Sequence, residues 1–291
     1  MAFLNFDLAG AEWVIVAYLC QDENMLRVVS GKTSPHVITG SLMTGAPQDL
    51  VEREHKIVGE ETDQTVIAEL RKQVPELFRG NYKLPRTMSI RQAGKKANHG
   101  LNYGMQYRLF SMLNEIPEPD AKEIVWAYSN RAYPRLPEYW RETQKTLRNN
   151  NRTLENCFGR RVRLLDEWGP ELWMAAYAFV PQSTVADCVL EAMVKLYHLG
   201  IPARRNLYVG ANVHDSLLVE YPSSDLTGMA EVARAAIDAL TPELEYRGNR
   251  FRLRADAKIG LSWGEMAPVA DLSPEGLRMA LEGIPERRAA A

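Results

Sequence analysis

The sequence predicts an α/β (α+β) chain in which β-prone segments near both ends enclose a long helical middle. Three observations carry this. Residues 3–9 (FLNFDLA) alternate like a strand. Residues 206–221 (NLYVGANVHDSLLVEY) contain two β-prone runs flanking His214-Asp215-Ser216, the pattern of a hairpin with those three at its tip. Residues 250–259 (RFRLRADAKI) alternate strictly, while most of the chain between 11 and 199 carries helical patterns.

Taken in order, Gly10 is the turn after the first strand, and Ala11 to Leu19 reads as a buried helix start rich in Val and Ala. Residues 21–47 are punctuated by Gly31, Gly40, Gly45 and Pro47. Residues 48–79 interleave charge with Val, Ile and Leu, as exposed helices do, and have no assigned role. After RGNYKLP (79–85), a long helix is expected from Thr87 or Ser89, either of which can cap it, to about Leu113. Residues 119–150 read as two helices broken around Tyr133-Pro134, and 151–165 as a hairpin turning near Gly159. Trp173 to Leu199 is an apolar helical region interrupted at Pro181, and 226–240 a regular amphipathic helix. The last ~20 residues lose periodicity and read as a loosely held tail.

The 291 residues suffice for one or two domains with a large core. A chain that is 46% apolar and 25% charged is neither disordered nor a collagen-like repeat. The formal charge of -2 gives no sign of a nucleic-acid partner by itself. It averages unlike parts, however: Lys145 to Arg163 holds six cations against one acid. Cys20, Cys157 and Cys188 are odd in number and form no C-x-x-C, which argues for reduced thiols and against a zinc site or a disulfide framework. The N-terminus lacks the basic region of a signal peptide, and the apolar run from Trp13 to Cys20 is far short of the ~20 residues that span a bilayer. A cytoplasmic location is the expectation.

Two acids, Asp7 and Asp215, each end an apolar strand. A lone Asp there is more often a turn residue. Two carboxylates from separate strands are also what a pair of Mg²⁺ ions needs for phosphoryl or nucleotidyl transfer. Arg91, Lys95, His99 and Tyr103 recur every four residues, which stacks them along one helix face over roughly 18 Å. Two cations followed by two rings suit a triphosphate and then a base; a solvated basic stripe grading into a buried end is the plainer reading. Gly100 and Gly104 cost about 1 kcal/mol each in a helix relative to Ala, so their presence suggests a close approach or a bend.

These residues resemble a family. D-L-A-G-A-E-W (Asp7 to Trp13), R-Q-A-G-K-K-A-N-H-G-L-N-Y-G (Arg91 to Gly104) and V-H-D-S (Val213 to Ser216) resemble the three polymerase motifs of family A DNA polymerases. Tyr128 to Trp140, F-G-R-R (Phe158 to Arg161) and P-Q-S-T-V-A-D (Pro181 to Asp187) fall between them in the family's order, and the likeness covers about residues 3–265. It implies a right-hand fold: a palm with an antiparallel sheet (1–23 and 181–272), helical fingers (24–180), a C-terminal tail (273–291) and no thumb. It implies template-directed transfer of deoxynucleotides from dNTP to a primer 3′-OH with two Mg²⁺ ions, Mn²⁺ able to replace them. Asp7 and Asp215 would hold metal, with Lys95 as a further catalytic residue. Glu12 would be the steric gate against a ribose 2′-OH, with Tyr103 packed beside it. Arg91, Lys95 and His36 would grip the triphosphate, and His99 would face the nucleotide. Gln182 and His214 would approach the primer-template, and Arg160 and Arg161 the DNA backbone.

The departures carry expectations of their own. His99 replaces a Phe or Tyr, Ser216 replaces the last Glu of the third motif, and Met174 and Ala178 stand where the family often has Arg and Asn. The first motif lies at the start of the chain, so a split phage polymerase is expected, working in the host cytoplasm with a companion chain that supplies the thumb and an exonuclease if one is present. The alternatives are a catalytically weak DNA-binding or assembly subunit and a single-subunit RNA polymerase-like enzyme, the latter opposed by the bulky acid Glu12.

Overall fold

The computed structural model describes residues 1–31, 33–198 and 207–284. They fall into two compact units. One takes Met1–Glu12, Asn156–Arg160 and the chain from Pro181 onward; the other takes Trp13–Glu155 and Arg161–Val180.

The first unit is built on a five-stranded antiparallel sheet. Its strands are β1 (Ala2–Leu8), β4 (Tyr208–Val213), β5 (Ser216–Tyr221), β8 (Ala255–Ser262) and β9 (Glu265–Val269), in the order β4-β5-β1-β8-β9. β1 is central because both its edges are paired. Its Ala2, Leu4, Phe6 and Leu8 are buried on one face, and Asn5 and Asp7 alternate onto the other. The helix Leu226–Leu240 packs on β1 and β8 through a face that includes Met229, Val232, Ala233 and Ala236. A small hairpin, β6 (Glu243–Tyr246) with β7 (Asn249–Arg252), precedes β8. The alternating run 250–259 is therefore two strands in two sheets. Its period of two continues through the break, so alternation alone does not mark it. Residues expected as tail include a helix, Pro274–Glu282, which Ser273 caps by accepting from the Gly276 N–H at 3.0 Å; Leu277 is fully buried. Its short amphipathic pattern lies outside the reach of a longer window. The rest of that segment lies outside the described residues.

The second unit is helical. In chain order it holds α1 (Ala11–Cys20, from Trp13 in this unit), α2 (Glu23–Ser30), α3 (Pro35–Thr44), α4 (Gln48–Val58), α5 (Gln64–Arg71), α6 (Ile90–Gly100), α7 (Tyr107–Asn114), α8 (Glu118–Ala127) and α9 (Leu136–Asn149). The hairpin of β2 (Thr153–Glu155) and β3 (Arg161–Arg163) follows. Then comes α10 (Pro170–His198), in this unit as far as Val180. The stretch 48–79 is an integral part of this unit: Leu50, Val51, Val74 and Leu77 share a core with Val37 and Ile90.

The structure differs from the sequence reading at two helices. The helix expected to run to Leu113 ends at Gly100. A 3₁₀ turn, Leu101–Tyr103, follows, and Gly104 at φ +74° closes it before α7 begins. A left-handed φ favours a residue without Cβ, and a Cβ here would lie 2.9 Å from the Tyr177 ring, so Gly104 terminates what periodicity would extend. Conversely, Pro181 does not break α10. Proline lacks the N–H that would bond the Tyr177 carbonyl four residues earlier. The Tyr139 hydroxyl donates to that carbonyl at 2.8 Å and takes the missing partner's place.

Candidate functional site

The sequence-predicted residues fall into two groups, each within one unit. The acidic group is at one end of the sheet. Asp7 stands in register with Ser216 on β5 and with Asp256 on β8. The link between β4 and β5 is a tight turn in which His214 takes φ +55°, a left-handed conformation that His tolerates in turns. The Leu8 N–H donates to the Asp215 carbonyl at 3.1 Å, which ties the turn to the end of β1. The Ser216 hydroxyl donates to the Val213 carbonyl at 2.9 Å and so braces the same turn.

This brings Asp7 and Asp215 side by side. Partial burial pushes the Asp7 carboxyl above the usual carboxylate range. The charges of Asp215 and Asp256 push it the same way, against the Lys258 ammonium. Oxygen donors that repel one another suit a hard divalent cation, which removes the repulsion. By residue type the set is small: among the described residues no group of three or more His, Cys, Asp or Glu is arranged to hold a metal. Glu12, in the first turn of α1, accepts from Gln182 Nε2 at 3.5 Å. Asp187 is buried in α10 and joins two motifs: it accepts from Asn156 Nδ2 at 2.7 Å and from Arg160 Nε at 2.9 Å. Arg160 is thus paired within this unit.

The basic group is on α6. Arg91, Lys95 and His99 follow one another at intervals of four, while Tyr103 lies past the helix end in the 3₁₀ turn. α3 packs on α6 through two glycines. A Cβ on Gly94 would lie 2.2 Å from the His36 carbonyl oxygen, and one on Gly40 would lie 2.7 Å from that of Ile90. This approach sets His36 beside α6: Asn98 Nδ2 donates to His36 Nδ1 at 3.2 Å, and the His36 and His99 rings are 5.9 Å apart. Nδ1 is then the acceptor, so the His36 proton is on Nε2. Burial, reinforced by the charges of Arg91, His99 and Lys95, pushes His36 down to about 4. Neutral at pH 7, it offers an N–H to an anion without adding to the local repulsion. Arg161, on β3, pairs with Glu155 at 2.6 Å.

Sequence reasoning missed Asp256 and Lys258, which needed the strand register to be seen. It also missed Glu54, His55 and Arg71. Glu54 carried a signal: with Leu50, Val51 and Val58 it occupies the apolar face of α4, where a carboxylate requires a partner.

Residues 79–265, more than half of the chain, match the family model for DNA polymerase family A, and the chain belongs to that family. It is 26% identical over 256 residues to a DNA polymerase I, thermostable, of Thermus caldophilus, covering 83% of this chain and 25% of the relative. It is 24% identical over 272 residues to a DNA polymerase I of Borreliella burgdorferi, covering 91% and 25%. The chain thus spans about a quarter of the length of these curated relatives. In fold it is similar to the POL domain of Pol1 from M. smegmatis in complex with DNA primer-template and dNTP. The TM-score is 0.65 at 19% identity, over 90% of this chain and 40% of that one.

Proposed function

We propose that this chain performs the nucleotidyl-transfer step of template-directed DNA synthesis. The first unit then acts as palm and the second as fingers. The observation that carries the reading is the Asp7–Asp215 pair, two carboxyls brought to one sheet end by the β1–β5 register and by the Leu8 N–H bond to the Asp215 carbonyl. These two residues would hold Mg²⁺, which when bound supplies Lewis-acid charge at the attacking hydroxyl and the leaving pyrophosphate. Arg91 and Lys95 neutralise triphosphate oxygens, and neutral His36 donates from Nε2. Lys95 adds its charge beside the pyrophosphate as it departs. Glu12 fills space that a ribose 2′-OH would need, and Tyr103 and His99 offer the nucleotide flat rings, His99 with a polar edge. Gln182 and His214 take the primer-template. Arg160 and Arg161 approach the DNA backbone with their free guanidinium edges, since the acids that pair them leave donors over.

The test is single-nucleotide primer extension in Mg²⁺, with and without candidate companion chains. Asp7→Asn and Asp215→Asn should each abolish incorporation with melting curves that remain cooperative. Incorporation by either variant at the parent rate removes the assignment. Comparing dNTP with rNTP in the same assay separates this reading from an RNA polymerase-like one, and Glu12→Ala should relax the choice. A second reading, a DNA-binding subunit with weak catalysis, draws on the Ser216 hydroxyl being spent on the Val213 carbonyl. Duplex binding without Mg²⁺-dependent extension under every partner condition would favour it.

A further inference from the structure

His55, near the C-terminal end of α4, has no part in the function proposed above. Its ring bridges two groups at the start of α6. Nδ1 lies 2.9 Å from the Ser89 hydroxyl and Nε2 lies 3.2 Å from Arg91 Nη1. A guanidinium has donors and no acceptor, so Nε2 must carry the lone pair and Nδ1 the proton. Nδ1–H then donates to Ser89 Oγ, which also accepts the Gln92 N–H at 3.2 Å as the cap of α6. Ser89 is fully buried. Arg91 is therefore tied, through one neutral imidazole, to the fixed first turn of its own helix.

The support behind this bridge is also anchored. Glu54, the neighbouring residue, accepts the Ile90 N–H at 2.9 Å and pairs with Arg71, which donates to the carbonyls of Pro85 and Met88. The segment 48–79 thus holds the approach to α6 and presents His55 to Arg91.

We infer that His55 is the positioning residue for Arg91: its neutral ring holds the guanidinium ready for a triphosphate, and protonation of the ring releases it. The inference rests on the reading that Arg91 takes triphosphate. One guanidinium donor goes to His55, leaving the others for phosphate oxygens. A protonated ring has two donors and a positive charge, so the acceptor for Arg91 disappears and repulsion replaces it. The groups facing His55 are the Ser89 hydroxyl, the Arg91 and Lys95 cations, the Glu60 carboxylate and the Gly59 backbone. Burial and the Arg91 charge hold the ring below the ordinary His range, Glu60 opposing them, so the neutral bridge persists at pH 7.

The test is calorimetric titration of the full chain with inorganic triphosphate at pH 7.5 and 5.5, for the parent, His55→Leu, His55→Gln and Arg91→Ala. Gln keeps an acceptor for Arg91 and cannot titrate; Leu keeps volume and has none. Ordering one rotamer-rich side chain corresponds to about a two- to tenfold change in affinity, which is the weakening expected for His55→Leu at pH 7.5. His55→Gln should bind within about twofold of the parent, given a retained neutral acceptor. It should also lose less affinity than the parent on acidification, since the titration of the triphosphate and of His36 is common to both. Should Arg91→Ala weaken binding while His55→Leu binds as the parent and His55→Gln follows the parent's pH profile, the inference is overturned and the triphosphate reading stands. Should Arg91→Ala bind as the parent, the underlying reading falls and takes this inference with it. If melting shows His55→Leu to be unfolded, the pH profiles of His55→Gln and the parent decide alone.

Discussion

Arg71→Met should be among the costly single substitutions in this chain. The Glu54 side chain is 0% exposed and that of Arg71 7%. Arg71 donates to Glu54 through Nε at 2.9 Å and Nη2 at 2.7 Å. Removing one partner of such a buried pair leaves the other charge without compensation, at about 3–5 kcal/mol. With roughly 2–4 °C of melting shift per kcal/mol for a chain of this size, the midpoint should fall by about 6–20 °C. Glu54→Leu should also destabilise, because the Arg71 guanidinium and the Ile90 N–H lose their acceptor. The double variant Glu54→Leu/Arg71→Met should cost less than the two singles together by about 0.5–3 kcal/mol, because no charge is then stranded. Urea unfolding followed by circular dichroism measures all three. Burial already holds the Glu54 carboxyl above its ordinary value despite Arg71. A raised folded value favours folding below the unfolded pKa and loses that contribution as pH rises through the folded one. Without Arg71 the value rises further, so the gap between Arg71→Met and the parent should narrow on acidification. Single effects that add to within about 0.5 kcal/mol would refute the reasoning.

Other outcomes follow from the same geometry. Tyr139→Phe removes the donor to the Tyr177 carbonyl and should cost about 1–3 kcal/mol by denaturant unfolding, as a buried carbonyl left unpaired does. Gly94→Ala drives a Cβ onto the His36 carbonyl and should cost about 1–3 kcal/mol while weakening triphosphate binding, measured by the same unfolding and by calorimetry. His36 is held at about 4 against an ordinary 6.5, so the unfolded chain binds the proton more readily. Its contribution to stability should be complete above pH 6.5 and should decline as pH falls toward 4, with a shallower decline in His36→Gln.

Much of this was legible in the residues, for identifiable reasons. β1 and the β4–β5 hairpin show alternation and turn chemistry, which are local, so Asp7 and Asp215 could be placed at strand ends. That they meet depends on pairing between residues some two hundred positions apart, and only the register brings Asp256 in as well. The Arg91–Lys95–His99 face follows from helix period alone. The position of His36 beside it does not, because it depends on Gly40 and Gly94 admitting close backbone contact. The helix end at Gly100 and the continuity through Pro181 both went against local rules. In the first case a left-handed glycine closed the turn, and in the second a distant hydroxyl replaced the lost donor. His55 gave no sign of its own, since a lone His on a charged helix has no distinctive spacing.

The central claim is that Asp7 and Asp215 together form a divalent-cation site at the sheet end. Calorimetric Mn²⁺ titration of the chain and of Asp7→Asn and Asp215→Asn addresses it without requiring turnover. The account predicts saturable binding in the parent and its loss in each variant. Equal Mn²⁺ binding by the parent and both variants would contradict it.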